Sequence, residues 1–448
     1  MSYPAYAETK PSGVEWLGDV PARWEVKRLK HCVVDFVAGG TPDSNDKDFW
    51  DDEGGTAWVT IADMTRAYVI QSTTKRLTQE GLDAKHLQVL PAGTILYSMY
   101  ASLGKVAFLG IPATTNQAIL GIVPHEGVAD RRLLRWWLES MEKHVSQLSS
   151  SNTQDNLNAE KVRNLPIFLP PLSEQQQIAA FLDRKTAELD AVLRLKERQL
   201  GLLAEKRQAL ISQAVTRGLD PTAPLKPSGI PWLGDVPGHW EVVPLKYLAK
   251  IKYGLGQPPS AMDDGLPLLR ATNVERGKIN PKGLMFIDPN DVPYDRDPVL
   301  RTNDIIVVRS GAYTGDSAIV TAEYEGAIAG YDMVVRAKTA NPFFLAYGLL
   351  STPILNNQID LLRMRAAQPH LNAEELGECL FFIPPMPEQA GIVAYLDRET
   401  ARMDGIAQAI RAQIGKVREY RQALISAAVT GKIDVRGQEK ASSSACQD

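Results

Sequence analysis

Acidic side chains are the residues of this 448-residue chain best suited to chemistry, and their densest group lies between positions 43 and 53. A nuclease would use such carboxylates to hold divalent cations. Lys47 and two aromatic residues interrupt the group, and its spacing matches no metal-ligand pattern. We therefore predict a solvated loop and no metal site from Asp43, Asp46, Asp48, Asp51, Asp52 and Glu53.

Sequence patterns of other catalytic sites are also absent. A methyltransferase acting on an exocyclic amine needs a cofactor-binding glycine turn and an Asn/Asp-Pro-Pro-aromatic clamp. The nearest sequence, NPFF at 341–344, lacks the second proline and predicts a helix start. A GxxxxGK[ST] phosphate loop is also missing, which argues against ATP-driven translocation by this chain. The sequence predicts no catalytic residues and no cofactor bound by the chain itself.

The composition is typical of a multidomain globular protein. Its length predicts two to four domains, and 44% hydrophobic residues are enough to form their cores. The net charge of −4 argues weakly against a protein that coats nucleic acid by charge alone. Three isolated cysteines, no apolar stretch of membrane-spanning type and no secretory signal predict a cytoplasmic protein without membrane contact.

The strongest signal is an internal repeat. PSGVEWLGDVPARWEV at 11–26 and PSGIPWLGDVPGHWEV at 227–242, here called the opening stretches, are identical at 12 of 16 positions. Residues 157–190 likewise return at 371–404, and RQALISQAVT at 207–216 returns as RQALISAAVT at 421–430. The chain is therefore built from two copies of one unit. We predict that the four repeated tryptophans, Trp16, Trp24, Trp232 and Trp240, are core anchors.

Each copy ends in a long predicted helix. Ser173 and Pro387 are suitable helix starts, and Gly218 and Gly431 are suitable stops. Apolar residues at spacings of three and four predict a coiled-coil seam on both helices. The seam comprises Leu182, Leu189, Leu193, Leu200, Leu203, Leu210 and Ala214 in the first helix, and Leu396, Met403, Ala407, Ile410, Ile414, Val417, Leu424 and Ala428 in the second.

Antiparallel pairing of these helices would explain the duplicated opening stretch. The end of the second helix would then lie beside residues 11–26, just as the end of the first helix lies beside residues 227–242. This arrangement would close a pseudo-twofold ring. Arg207 and Arg421 occupy equivalent positions on the seam. They are expected either to bridge to carboxylates within the helix pair or to face a partner protein.

The middles of the two copies, residues 30–155 and 246–368, are hard to align, in contrast to the repeated frame. Runs such as GTILYSMY and DIIVVRS, punctuated by Gly, Pro and Asn, indicate an α+β fold. Two similar scaffolds therefore carry two different middles. A duplication that served stability alone would not predict this contrast.

Over almost its full length the chain resembles the specificity subunit of type I restriction-modification enzymes. The resemblance rests on WLGDVPARWEVKRLK (16–30), GGTPDSNDKDFW followed by AWVTIADM (39–64), NAEKVRNLPIFLPPLSEQQQIAAFLD (158–183) and RQALISQAVT. The second middle departs further from the family pattern, since GLGQPPS replaces GGTPDS.

This resemblance implies an α+β protein with two pseudo-repeated α/β target recognition domains, separated by two long antiparallel coiled-coil helices in a pseudo-twofold circular arrangement. The expected segments are domain 1 (1–170), the central helix (171–218), domain 2 (219–384), the C-terminal helix (385–432) and a flexible tail (433–448). The expected partners are double-stranded DNA, two methyltransferase subunits and motor-nuclease subunits. S-adenosylmethionine, ATP and magnesium are expected in those subunits, as parts of a bacterial defence system.

The DNA-reading residues implied by this resemblance must be polar, exposed and on loops. Arg suits guanine, Asn and Gln suit adenine, and Ser, Thr and Tyr commonly hold phosphates. On these grounds the candidates in the first middle are Thr41, Lys75, Arg76, Tyr100, Ser102, Lys105, Asn116 and Gln117. Those in the second are Arg270, Thr272, Asn273, Arg309, Tyr313, Tyr331 and Gln368.

Two other hypotheses remain open at this stage. The chain would be an enzyme if it contained an unrecognised methyltransferase or nuclease centre. It would be a bare coiled-coil scaffold if its middles did not contact DNA, a hypothesis that the dissimilar middles disfavour.

Overall fold

The computed structural model describes residues 3–51, 53–100, 103–142, 145, 157–256, 259–363 and 369–437. The chain forms two compact units, the first from Met1–Leu195 with Gln413–Asp448 and the second from Lys196–Ala412. Both boundaries fall inside the long helices, so each unit contains a segment of each helix. The predicted flexible tail lies outside the described residues after position 437, and the predicted domain boundaries stay predictions.

The first unit alternates short strands with short helices before the first long helix. Its strands are β1 (Thr9–Pro11), β2 (Asp19–Pro21), β3 (Glu25–Arg28), β4 (Val33–Ala38), β5 (Thr56–Val59), β6 (Val69–Ile70), β7 (Lys75–Leu77), β8 (Ile95–Ser98), β9 (Val106–Leu109), β10 (Ala113–Thr115), β11 (Ile119–Pro124) and β12 (Pro166–Leu169). Its helices are α1 (Ile61–Arg66), α2 (Gln79–Ala84), α3 (Arg131–Ser140) and α4 (Ala159–Arg163), followed by the long helix α5 (Leu172–Arg217).

The second unit follows the same plan. Its strands are β13 (Leu225–Pro227), β14 (Asp235–Pro237), β15 (Glu241–Pro244), β16 (Ala249–Tyr253), β17 (Ala261–Met262), β18 (Leu266–Leu269), β19 (Val274–Glu275), β20 (Lys278–Ile279), β21 (Met285–Ile287), β22 (Ile305–Val307), β23 (Ser317–Ile319), β24 (Ile328–Ala329), β25 (Met333–Ala337) and β26 (Leu380–Ile383). Its helices are α6 (Leu245–Leu248), α7 (Pro342–Leu350), α8 (Thr352–Ile354), α9 (Asp360–Arg363) and α10 (Ala373–Glu378), followed by the long helix α11 (Met386–Val429).

The two middles share the topology of their sheets apart from β6 in the first and β17 in the second, although their sequences are hard to align. The first unit contains a sheet of order β4-β11-β8-β9-β6 and a second of order β10-β5-β7. The second unit contains the orders β16-β25-β22-β23 and β17-β21-β18-β24. The β5–β10 pair of the first unit and the β18–β24 pair of the second are both parallel. The β5–β7 pair of the first unit and the β18–β21 pair of the second are both antiparallel. The α+β repeat predicted from the sequence is confirmed, and it extends to the middles.

Burial on both faces of the larger sheets explains their continuous apolar runs. In β8, Ile95 and Tyr97 join one hydrophobic cluster, whereas Leu96 joins another. The second unit repeats this division, because β22 places Ile305 and Val307 in one cluster and Ile306 in another. Successive strand residues point to opposite faces, so a strand covered on both sides must be apolar at every position.

Each opening stretch packs on the end of the long helix from the other half of the chain, as predicted. In the first unit the Lys432 ammonium donates to the Leu17 and Asp19 carbonyl oxygens, both at 2.8 Å. In the second unit Trp240 shares a cluster with Ile211, Ala214 and Val215.

The repeated tryptophans divide into two classes. Trp24 and Trp240 are buried, and their indole N–H groups each donate over 3.1 Å to Glu174 and Glu388 respectively. Trp16 and Trp232 are 43% and 41% exposed, so the prediction that all four are core anchors is wrong for these two.

The long helices pair antiparallel within each unit. In the first unit Leu182 of α5 shares a cluster with Leu424 and Ala428 of α11, and in the second Ala214 of α5 shares one with Leu396 of α11. The predicted stop residues Gly218 and Gly431 adopt φ of 72° and 71°, a left-handed conformation that favours glycine. Helix α5 begins at Leu172, so Ser173 lies inside its first turn and is not the predicted cap.

One close backbone approach recurs in both middles, just after β4 and β16. A Cβ at Gly39 would lie 2.2 Å from the Asn116 carbonyl oxygen, and one at Gly254 would lie 2.2 Å from the Gly330 carbonyl oxygen. Only glycine fits where two backbones approach this closely. The two glycines therefore hold the loop after the first strand against the turn that follows β10 or β24.

Substitution of Gly39 and substitution of a glycine without such a close contact should have opposite effects on the free energy of unfolding. Gly39→Ala should lower the free energy of unfolding by about 1–3 kcal/mol, because the new methyl group forces backbone apart. Gly201→Ala on α5 meets nothing within 4 Å and should raise it by about 0.5–1 kcal/mol through helix propensity. Urea unfolding of both variants checks the pair, and equal effects of the two substitutions would contradict the packing argument.

Candidate nucleic-acid interface

Most candidate readers of the first unit lie at one end of its larger sheet. The register pairs Ala38 with Leu120, Leu120 with Tyr97, and Tyr97 with Val106, so β4 and β8 end where β11 and β9 begin. Three segments meet there: the loop after β4, the described residues of the β8–β9 connection (98–100 and 103–105) and the turn at 116–118. Their candidates are Thr41, Tyr100, Lys105, Asn116 and Gln117, whereas Ser102 lies outside the described residues.

Hydrogen bonds hold these three segments together. The Gly40 amide donates to the Thr115 carbonyl oxygen over 2.9 Å, and the Met99 amide donates to that of Ala118 over 2.8 Å. The Thr41 hydroxyl donates to the Gln117 side-chain carbonyl oxygen. Tyr100 is 38% exposed, and Lys105 and Gln117 are exposed as well. The end of the sheet therefore presents an amide, a phenol and an ammonium group to solvent.

Lys75 and Arg76 lie on β7, in the smaller sheet. The Lys75 ammonium is 4.8 Å from the centre of the Trp50 ring, which packs edge-on against Trp58. Trp58 donates its indole N–H to the Gly40 carbonyl oxygen over 2.9 Å, so Lys75 is linked to the loop after β4. The Arg76 Nε donates to the Gly55 carbonyl oxygen over 2.7 Å, which assigns part of that guanidinium to a backbone contact.

The corresponding end of the second unit presents different chemistry. The Arg309 guanidinium contacts two phenol rings, with its central carbon 4.6 Å from the centre of the Tyr253 ring and 4.1 Å from that of the Tyr331 ring. Tyr313 occupies the connection that corresponds to the one between β8 and β9 and is 52% exposed. Tyr253 was not among the sequence candidates, and its position as the last residue of β16 was the available signal. Gln368 lies outside the described residues.

Three further candidates surround the short turn after β18. Thr272 is exposed and Arg270 is half-buried, with Nη2 donating to the Gly283 carbonyl oxygen over 3.2 Å. The expectation that readers are exposed fails at Asn273, which is 0% exposed. Its side-chain carbonyl accepts from the Arg270 amide and its NH₂ donates to the Asn280 carbonyl. In the first unit the Asp63 carboxylate likewise accepts from the amide of Thr60, the N-cap of α1. We correct the assignment of Asn273 to a loop-holding residue, because a fully buried amide reaches no base.

A buried carboxyl group lies directly behind Arg309. Asp332 is 2% exposed and accepts a hydrogen bond from the Arg309 amide over 3.3 Å. Burial raises the pKa of Asp332 to about 6, against the opposing effect of the Arg309 hydrogen bond and charge. A carboxyl group with a raised pKa therefore lies beneath this face.

Arg207 and Arg421 both bridge to carboxylates within their own units. Arg421 lies 2.7 Å from Glu139 and 3.0 Å from Asp190, and Arg207 lies 2.8 Å from Asp404. The intrachain interpretation of these two arginines agrees with these contacts. Their contact with partner subunits stays a prediction.

The acidic stretch at 43–53 forms local turns. Asp43 and Asp46 accept from the backbone amides of Asn45 and Asp48, and Asp51 accepts from those of Glu53 and Gly54. Within the described ranges, which omit Asp52, no group of His, Cys, Asp or Glu is arranged to hold a metal ion. The NPFF sequence begins a helix, as predicted, with Asn341 as the N-cap and Pro342 in the first turn of α7.

Comparisons with known proteins connect both units to one family. A family model described as "Type I restriction modification DNA specificity domain" matches residues 21–198 and 237–416. The MjaIX specificity subunit of a type I restriction enzyme from Methanocaldococcus jannaschii is 23% identical over 382 residues, which cover 83% of this chain and 85% of that protein. The EcoBI specificity subunit from Escherichia coli is 26% identical over 335 residues, covering 72% and 70%.

A solved structure has a similar fold. It is described as "Structural basis underlying complex assembly and conformational transition of the type I R-M system" and has a TM-score of 0.68 with 19% identity. The match covers 92% of this chain and 99% of that chain. No helix in the described part of the chain is long and apolar enough to cross a membrane.

Asp332 predicts a pH-dependent stability. Because burial raises the pKa of Asp332 above its value in the unfolded chain, its contribution is fully present at low pH and is lost as the pH rises through about 6. Asp332→Asn should remove this dependence, which is worth up to roughly 3 kcal/mol for a shift of about two pKa units. The variant should exceed the wild type in stability at about pH 8, with little difference at about pH 4.

Urea unfolding at both pH values measures this effect, with exposed Asp291→Asn as the control substitution. An equal stability difference at the two pH values would contradict the assignment to Asp332.

The ion pairs of Arg421 predict a loss of stability on truncation. Arg421→Ala should destabilise the protein by roughly 1–3 kcal/mol, because Asp190 loses its ion pair and Glu139 keeps only its pair with Arg135. Exposed Arg194→Ala on α5 serves as the matched control and should change stability by less than about 0.5 kcal/mol. Thermal unfolding of the two variants distinguishes the ion pairs from a general effect of lost charge.

Proposed function

The chain belongs to the type I restriction-modification DNA specificity family, and on that premise we propose that it selects an asymmetric, bipartite DNA sequence for partner subunits. Each unit reads one half of the target with the loops at the end of its larger sheet. The observation that carries this proposal is the correspondence of those loops. The candidates Tyr100 and Gln117 in the first unit, and Tyr313 and Tyr331 in the second, occupy equivalent loops of one repeated fold.

The chemistry of these loops suits contact with DNA. Exposed Lys, Arg, Gln and Tyr side chains make the phosphate and base contacts that fix a protein on a duplex and read its sequence. The net charge of −4 is unfavourable for binding by charge alone. A readout confined to two local faces, with further charge supplied by partners, is compatible with that balance.

Catalysis belongs, in this proposal, to other subunits. Two methyltransferase subunits bind this chain, use S-adenosylmethionine and modify a base flipped out of the duplex. Motor-nuclease subunits join for cleavage and use ATP and magnesium. This chain contributes no catalytic residues and no cofactor, and it acts in the cytoplasm.

Exchange of one middle tests this division of labour. Replacing residues 30–155 by the equivalent segment of another family member should redirect methylation by the assembled complex to a hybrid sequence. One half-site should change while the other is retained, because each unit has its own core and reading loops. Sequencing of methylated positions measures the target, and an unchanged target would refute the proposal.

The isolated chain provides the control for an unrecognised active site. Incubated with DNA and radiolabelled S-adenosylmethionine, or with magnesium, it should neither methylate nor cleave. Activity from the chain alone would instead identify it as an enzyme.

A further inference from the structure

The Arg309 guanidinium is held in a fixed orientation with one edge free. The rings of Tyr253 and Tyr331 lie within 4.6 Å and 4.1 Å of its central carbon, and they are 41% and 42% exposed. Its Nε is buried and has no hydrogen-bond partner. The two terminal nitrogens form no hydrogen bond or ion pair with any residue in the described part of the chain. A planar donor pair is thus available at the surface, held by cation–π contact with two tyrosine rings.

A second stacked arginine in the same chain shows what a structural role looks like. In the first unit, Arg135 lies 3.9 Å from the centre of the Tyr68 ring and 3.5 Å from that of Trp136. It is only 8% exposed, and its guanidinium forms an ion pair with Glu139 at 3.0 Å. Arg309 also contacts two aromatic rings, but within the described residues its side chain forms no ion pair, and Asp332 accepts only from its backbone amide. The comparison separates a guanidinium used for packing from one left available for a ligand.

The first unit has no cation at the position equivalent to Arg309. Tyr253 pairs with Met333 and Met333 with Val307, as Ala38 pairs with Leu120 and Leu120 with Tyr97. Arg309 follows Val307 by two residues, as Met99 follows Tyr97.

Tyr331 also has a different residue at its equivalent position in the first unit. The turns after β24 and β10 begin with the same backbone hydrogen bond, Gly330 to Leu269 and Asn116 to Val59, which aligns Tyr331 with Gln117. The Tyr-Arg-Tyr stack is therefore replaced by Ala38, the buried Met99 and Gln117. At this point the two faces differ in chemistry while their backbones correspond.

We propose that Arg309 is the specificity-determining residue of the second unit, and that it reads a guanine in the half-site bound there. This inference rests on the proposed function. Two neighbouring N–H donors match the O6 and N7 acceptors that guanine presents in the major groove. Because Nε is buried, the terminal nitrogens supply this donor pair. Stacking by Tyr253 and Tyr331 reduces the side-chain entropy lost on binding.

The test uses the complete complex of this chain with its methyltransferase subunits. The complex and S-adenosylmethionine act on a plasmid library of random sequence, and the methylated positions are mapped by sequencing. The wild-type motif should contain a fixed guanine in one half-site. In Arg309→Ala the preference for guanine at that single position should fall about 10- to 100-fold, while the other half-site stays unchanged.

Three further variants sharpen the assignment. Arg309→Lys keeps the charge but loses the planar donor pair, so it should also relax the guanine position. Tyr331→Leu should relax the same position to a smaller degree, because the guanidinium loses one stacking surface. Arg301→Ala removes an exposed arginine that lies before the start of β22, whereas Arg309 lies after its end. This control substitution should leave the motif unchanged. The intact first half-site reports in every experiment that the variant has folded.

Three outcomes would overturn the proposal. A uniform loss of methylation at all sites with an unchanged motif would make Arg309 a phosphate contact. Relaxation at a position other than guanine would refute the base assignment, and a motif that survives Arg309→Lys in full would show that charge alone suffices. Failure of the proposed function appears separately, as a wild-type complex that methylates without any sequence preference.

Discussion

Each unit of this protein is completed by a helix segment from the other half of the chain. The core of the first unit combines Leu17, Trp24 and Leu182 with Leu424 and Ala428, residues that lie far apart in sequence. Burial of this apolar surface requires the C-terminal end of α11 to pair with the beginning of α5. The rest of the architecture depends on this constraint, because the sheets of each unit cannot bury their helix-facing surface without the helix segment from the other half of the chain.

Hydrogen bonds and ion pairs fix the register of that packing. Trp24 and Trp240 each direct an indole N–H to a glutamate in the first turn of a long helix, Glu174 or Glu388. Arg421 bridges to Asp190 and Arg207 to Asp404 across the paired helices. A buried or half-buried polar group is costly when unpaired, so these contacts disfavour helix slippage. The repeated frame is nearly identical because both copies must satisfy the same constraints.

The loops at the ends of the larger sheets are free of these constraints, and there the two units diverge. Strand alternation and the close approach at Gly39 and Gly254 fix the backbone in both. Exposed side chains at the ends of the strands, such as Gln117 and Tyr331, support neither core and can vary. The first unit presents Gln117, tied to Thr41, and the second presents Arg309 in contact with two tyrosines. One fold therefore presents two surfaces of different hydrogen-bonding character.

The sequence by itself determined the duplication, the two long helices with their glycine stops, and the helix start at Asn341. These features follow from local patterns: repeated words, apolar spacing and capping residues. Only the tertiary structure decided that the two unlike middles share most of their sheet topology, that Asn273 and Asp332 are buried, and that Trp16 is exposed. It also brought Tyr253, Arg309 and Tyr331 together. Burial and stacking arise from strand pairings between residues distant in sequence, which local patterns do not specify.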